Sequence, residues 1–261
     1  MQNFEQLLSK LDLKLFEKIP SQSTDEDKQS FLAIQLAVRE LSPDYNYLEI
    51  GSYLGGSIQP HLLDDKCAKI YSIDKRPLQQ PDERGIDYVY QNNSTARMLE
   101  QLKTVAPEKL DKLETIDGDT RQLQTYRIED KIRFCFIDGE HTDEAVISDF
   151  NFCLNVLDEN GIIVFHDAQI TYNGIAECVK SLENSGRKFR AYSLPHIIFV
   201  IEIGDFPIHN HPKLLEFLTN NYKSYLESLK YNDTYRRFAN RFPFKMLKRF
   251  YVRATGRNVC E

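Results

Sequence analysis

"FCFIDGEHTDEAVISDF" occupies residues 134–150. It opens as an apolar run closed by Asp138 and Gly139, passes Glu140 and His141, and then turns amphipathic. Val146, Phe150, Cys153, Leu154 and Leu157 fall at i, i+4, i+7, i+8 and i+11, which is one face of a helix over 143–157. Asn160-Gly161 is expected to stop that helix. A second apolar run follows as "GIIVFHDA" (161–168), again ending on a histidine and an acid, His166 and Asp167. Strand, polar turn, helix, strand is the unit from which parallel sheets are built.

The same alternation extends upstream. "NYLEIG" (46–51) and "KIYSID" (69–74) are short runs rich in β-branched and aromatic residues, with helical patterns between them. "FRAYSL" and "HIIFVIEIG" (189–204) form a closing hairpin by pattern. The expectation is an α/β fold with a doubly wound, mostly parallel sheet. Three segments are expected: N-terminal helices over 1–40, the sheet domain over 41–205, and a basic helical extension over 206–261. Phe4, Leu7, Leu8, Leu11 and Leu15 are expected on one apolar helical face, which could also serve a homodimer.

Composition narrows the class. The chain has 261 residues, 41% apolar and 28% charged, ordinary values for a globular protein able to bury a large core. No run approaches the ~18 apolar residues of a membrane span. Glu5 and Asp12 interrupt the N-terminus where a signal peptide is apolar, and the five scattered cysteines include no C-x-x-C pair. Reduced thiols and a cytoplasmic location are expected. The net charge of −6 conceals an asymmetry. Residues 234–261 hold eight Lys/Arg against one acid, a net +7, which leaves −13 on residues 1–233. An acidic body disfavours a nucleic-acid substrate. The basic tail either packs on that body through Phe242, Phe244, Leu247 and Phe250, or meets an anionic membrane or an acidic partner.

Ligands of open α/β sheets bind beyond the carboxyl ends of the strands. At the first such end, "YLEIGSYLGGS" (47–57), Gly51 and Gly55 permit a tight turn and close backbone approach. A dinucleotide fingerprint wants glycine where Tyr53 stands, and Glu49 would repel a pyrophosphate. The loop suits a ligand carrying positive charge. Asp74 lies 23 residues beyond Gly51, a spacing suited to an acid that accepts from ribose hydroxyls. "TIDGDT" (115–120) supports only a turn.

Glu49-Ile-Gly51-Ser-Tyr53-Leu-Gly55-Gly-Ser57 resembles the first motif of class I S-adenosylmethionine-dependent methyltransferases, and Tyr53 and Ser57 are similar to the catechol-type variant. The "IDGEH … GIIVFHD" pair resembles the macrocin, mycinamicin and cephalosporin-biosynthesis branch of metal-dependent O-methyltransferases. The likeness spans about residues 45–170. It implies a seven-stranded, Rossmann-like methyltransferase fold in which Glu49 meets the methionine amino group, Tyr53 and Ser57 line the same loop, and Asp119 and Thr120 approach the adenine. It also implies that the strands ending at Asp138 and Asp167 are neighbours beside the first.

Adjacent strands lie ~4.8 Å apart, so those two carboxylates can share one cation, Mg²⁺ by ligand type. Asp138 is a candidate contact for cofactor as well as metal. His141 matches the position of a histidine base in the mycinamicin-type enzymes. His166 either supports a metal ligand or is a core histidine, and Glu140 is expected to be a solvated loop residue. Catechol-type relatives carry a third oxygen ligand where Ala168 stands, so a third ligand must come from elsewhere. A two-histidine, two-carboxylate site for iron or manganese is a further alternative.

Several functions stay open at this level. The leading one is a metal-assisted O-methyltransferase acting on a sugar or another small polar natural product. The others are a metal-independent methyltransferase and a non-catalytic binding module with the same fold. A nicotinamide oxidoreductase is disfavoured by Tyr53 and Glu49. Acceptor candidates are "IPSQSTDEDKQS" (19–30) and "DAQITYNG" (167–174), with Gln22, Ser23, Gln169, Tyr172 and Asn173 available to bond hydroxyls.

Overall fold

The computed structural model describes residues 4–234 and 241–255. Nine strands are β1 (Tyr45–Ile50), β2 (Cys67–Asp74), β3 (Gln79–Asp82), β4 (Ile86–Val89), β5 (Leu113–Asp117), β6 (Ile132–Ile137), β7 (Leu157–Phe165), β8 (Phe189–Ser193) and β9 (Phe199–Ile203). The helices are α1 (Phe4–Ser9), α2 (Asp25–Leu41), α3 (Ile58–Leu63), α4 (Thr95–Lys103), α5 (Asp143–Val156), α6 (Tyr172–Ser185), α7 (Pro212–Leu218), α8 (Tyr222–Thr234) and α9 (Phe244–Thr255).

Seven strands make one sheet in the order β5-β2-β1-β6-β7-β9-β8. β5, β2, β1, β6 and β7 are all parallel, and β9 runs antiparallel to both of its neighbours. The carboxyl ends of β1, β2, β5, β6 and β7 therefore open onto one edge, and β1, β6 and β7 are consecutive as expected. β1 and β6 are apolar on both faces because helices cover both sides. Tyr47, Phe134 and Phe136 pack with α2 on one face, while Leu48, Cys135 and Ile137 pack with α5 and α6 on the other. Each fully buried apolar side chain contributes roughly 1.5–3 kcal/mol relative to exposure.

Three expectations are corrected. α5 ends at Val156, not at Asn160-Gly161, because Leu157 already pairs with Ile132 and begins β7. Gly161 serves the sheet instead, since a Cβ there would lie 2.9 Å from the Arg133 carbonyl. The N-terminal apolar residues do not share one helix: the chain breaks after α1 at Leu11, whose φ is +53°, and resumes as a 3-10 turn over Leu13–Phe16. Leu8, Leu11 and Leu15 are nevertheless buried in the core beside β1, so they are not free for a second chain. Finally, Phe242, Phe244, Leu247 and Phe250 are about half exposed or more, so they are not buried against the acidic body. Arg236, Arg237, Arg257 and Cys260 lie outside the described residues. Cys67, Cys135, Cys153 and Cys178 are buried free thiols.

The β3–β4 hairpin was not expected. It hangs from the end of β2, and Gly85 (φ +73°) turns its three-residue loop. Asp82 bridges to His141, and the Glu83 amide donates to the His141 carbonyl. The hairpin thereby places an acid beside the turn after β6.

Candidate active site

The strand-end edge carries two differently built regions. The first surrounds β1. Glu49 is fully buried, and its two oxygens accept from the Tyr47 hydroxyl (2.6 Å) and the Ser57 hydroxyl (2.6 Å). Burial pushes its carboxyl up to about 7, although both hydroxyls favour the anion. Ser57 thus orients Glu49. Gly51 has φ +92°, and a Cβ there would fall inside the Asp138 backbone, so this glycine lets the ends of β1 and β6 close on each other. Tyr53 adopts φ +41°, donates its amide to Asp74 (2.9 Å) and stands edge-on to Tyr90.

Asp74 reaches this loop, as its spacing predicted, but Arg76 lies across it. The Arg76 amide donates to one Asp74 oxygen (2.6 Å). Its guanidinium meets the other (3.2 Å) and also bonds the Tyr53 carbonyl (2.7 Å). A cleft runs from Gly51 and Asp74 past Lys75 to Asp119 and Thr120. Asp119 pairs with Arg121, which together with Lys75 holds its carboxyl down at about 2. Thr120 donates to Asp149, a buried acid on α5 that sequence reading missed; burial pushes it up to about 7. Glu140 is not solvated as expected. It is largely buried and pairs with Lys75 across the cleft.

The second region joins the ends of β6 and β7. Asp138, His141 and Asp167 each bring one ligand atom into a set whose members lie within 4.8 Å of one another. His166 Nδ1 lies 3.0 Å from Asp138 and 2.9 Å from Asp167, so this ring holds both acids. His141 Nε2 is 3.1 Å from Asp167, while its Nδ1 is 3.1 Å from Asp82 on the hairpin. Burial opposes the His141 cation, but Asp167 and Asp82 outweigh it and push the ring up to about 10. The same contest, won by Asp138 and Asp167, raises His166. Asp167 sits at φ +51°, a strained setting for a non-glycine residue at a strand end.

Asp27 backs this region from α2. It caps its own helix through Thr24, accepts from the Ile197 amide (3.2 Å), lies 2.8 Å from His196 Nδ1, and stands 3.8 Å from His166 Nε2. The last separation suits charge attraction but not a hydrogen bond. His166 Nε2, Gln169 Oε1 and Thr171 Oγ1 are buried with no hydrogen-bond partner among the described residues. Of the acceptor candidates, Asn173 bonds Asp143, Ser23 bonds Ser21, and Tyr172 is exposed.

Carboxylates and histidines converge here, and the donor set fits a divalent cation: two oxygens, one imidazole nitrogen, and a second histidine steering the acids. The third donor beside the two acids is His141. Ala168 contributes no side-chain oxygen.

Residues 48–168 match a family model described as a methyltransferase domain. This part of the chain is similar to methyltransferase domains. The match begins within β1 and ends just beyond β7, so it contains both regions of the site. The domain takes the class I methyltransferase fold. A calicheamicin methyltransferase, CalS11, superposes with a TM-score of 0.51 at 15% identity, covering 78% of this chain and 95% of that one. An O-methyltransferase from Bacillus cereus, solved with SAH, gives a TM-score of 0.49 at 13% identity over 76% and 90% of the two chains. An uncharacterised protein of Acanthamoeba polyphaga mimivirus is 26% identical over 128 residues, which is 48% of this chain and 52% of the viral one. The chain thus spans about half the length of that curated relative.

Proposed function

We propose that the methyltransferase domain transfers the methyl group of S-adenosylmethionine to a hydroxyl of a small polar acceptor, a saccharide or a similar natural product, with a divalent cation held by Asp138 and Asp167. The observation carrying this reading is the juxtaposition of the Asp138–His141–Asp167 cluster with the buried Glu49, joined through Gly51. Glu49 has neutral donors on both oxygens and no cation among the described residues, so it suits the ammonium of the methionine moiety. Asp74 would serve the ribose, sharing its oxygens with Arg76 or displacing it. Asp119 and Thr120 would flank the adenine.

A bound divalent cation would lower the pKa of an acceptor hydroxyl and orient it for in-line attack. His141 would be the third protein donor through Nε2, with Asp82 fixing the ring through Nδ1, and the acceptor's proton would leave to water. His166 would position the two acids, a role distinct from touching substrate. The nitrogen among the donors favours Mn²⁺ over Mg²⁺, because Mg²⁺ prefers oxygen ligands. The loop after β7 supports a hydroxylated acceptor, since Gln169 and Thr171 present buried polar atoms without partners.

The test is S-adenosylhomocysteine release with a panel of saccharides and catechols, for the native chain and for Asp138→Ala and Asp167→Ala. Saccharide turnover should fall at least about 10³-fold in either variant while S-adenosylhomocysteine binds within a few-fold of native. Turnover of catechols alone would overturn the acceptor. Unchanged turnover in either variant would overturn the role of the acid pair.

A further inference from the structure

We infer that α9 is an in-plane docking helix for anionic membrane surfaces. Residues 241–255 hold Arg241, Lys245, Lys248, Arg249 and Arg253 and no acid. Over the 12 residues of α9 the two chemistries separate. On the helical period, Phe244, Met246, Leu247, Phe250, Tyr251 and Ala254 fall on one arc, while Lys245, Arg249 and Arg253 fall on the opposite one together with the single apolar exception, Val252.

In a helix fully packed on its own body the apolar arc is covered; here the centre of the arc, at Leu247 and Phe250, is exposed. Leu247 is 58% exposed, Phe250 60% and Met246 50%, with Phe242 just before the helix at 81%. An exposed arc of large apolar side chains opposite a basic arc describes a helix that lies in a headgroup layer, with its apolar side among acyl chains and its Lys/Arg among lipid phosphates. No helix among the described residues is long and apolar enough to cross a membrane, so attachment by α9 would be peripheral.

Charge selects the lipid. Residues 1–233 carry −13, and an anionic surface repels them. Attraction must therefore come from the basic segment, which would hold the sheet domain off the bilayer. A neutral surface offers α9 only its apolar energy.

The experiment is flotation of the full chain with phosphatidylcholine vesicles and with the same vesicles carrying phosphatidylserine. Binding should be at least about tenfold stronger on the anionic vesicles and should weaken as salt rises. Two variants separate the arcs. Leu247→Ser/Phe250→Ser keeps every charge, and Lys245→Gln/Arg249→Gln/Arg253→Gln keeps every apolar residue; each should lose most of the bound fraction. Both replace residues remote from the strand-end site, so S-adenosylhomocysteine binding in each variant checks that the domain is folded. Equal binding to the two vesicle types, or binding to neither, would overturn the inference. Full binding by the Ser variant, or binding to soluble polyglutamate as strong as to the anionic vesicles, would overturn it in favour of an acidic partner.

Discussion

The two halves of the site treat buried charge in opposite ways. Around β1, Glu49 is bonded by hydroxyls and has no counter-ion among the described residues, so burial, aided by the Asp138 and Asp74 carboxylates, holds its proton up to about 7. Around β6 and β7, Asp138 and Asp167 already have cations, the rings of His141 and His166. The first region needs a positive ligand to complete it. The second is complete while protonated, and a metal must displace or rearrange its protons. Their pH windows differ for the same reason. Glu49 binds its proton more tightly folded than unfolded, so the stability it contributes at low pH is lost as pH rises from about 4.5 through 7. His141 is also raised when folded; its contribution is full below about 6.5 and is lost as pH rises through about 10.

The largest expected effect comes from the residue that joins the halves. Gly51→Ala forces a Cβ into the Asp138 backbone at a positive φ and should cost about 3 kcal/mol or more, read by denaturant unfolding. A loss below about 1 kcal/mol would show that the two strand ends are not tightly coupled. Next is the proton count on the acid–histidine side. Mn²⁺ affinity should rise with pH between 6 and 9 by up to about tenfold per unit, with proton release seen as buffer-dependent heat. A pH-independent affinity would contradict the paired-histidine description.

On the Glu49 side, S-adenosylhomocysteine should bind progressively more weakly as pH falls below about 7, with a slope of at most about tenfold per unit. Glu49→Gln should flatten that slope. The smallest effect belongs to Asp149. Its proton is also held up to about 7 by burial, so ionisation above that pH costs stability, and Asp149→Asn should stabilise the chain by about 1–2 kcal/mol at pH 8. Destabilisation instead would mean that the carboxylate is needed by Thr120.

Much of this was legible in the sequence, and the reason is locality. The strands ending at Ile50, Asp74, Ile137 and Phe165 announce themselves by apolar runs closed with glycine or acid, and a parallel sheet puts such ends on one edge. Glu49, Asp74, Asp138, His141, His166 and Asp167 could be singled out as candidates because they sit at or just beyond those ends. Asp82 and Asp27 were missed because they arrive from a hairpin and a helix cap far along the chain. Nothing in their own segments says which histidine they will meet. A signal existed for the hairpin in the Asp82-Glu-Arg-Gly85 turn between two short runs, and for Asp27 in the Thr24-x-x-Asp27 capping pattern. Arg76 across Asp74 had no sequence signal, since a loop arginine is ordinarily solvated. Burial likewise decided Glu140 and Asp149, and burial is a tertiary property.

The central claim is that one strand-end edge holds a cofactor region and a separate cation region. Calorimetric titration of S-adenosylhomocysteine and of Mn²⁺ into the native chain and into Asp138→Ala/Asp167→Ala tests it most directly. The account predicts that S-adenosylhomocysteine binds both proteins with similar affinity and that Mn²⁺ heat appears only with the native chain. Absence of S-adenosylhomocysteine binding to the native chain, or Mn²⁺ heat that survives in the variant, would contradict it.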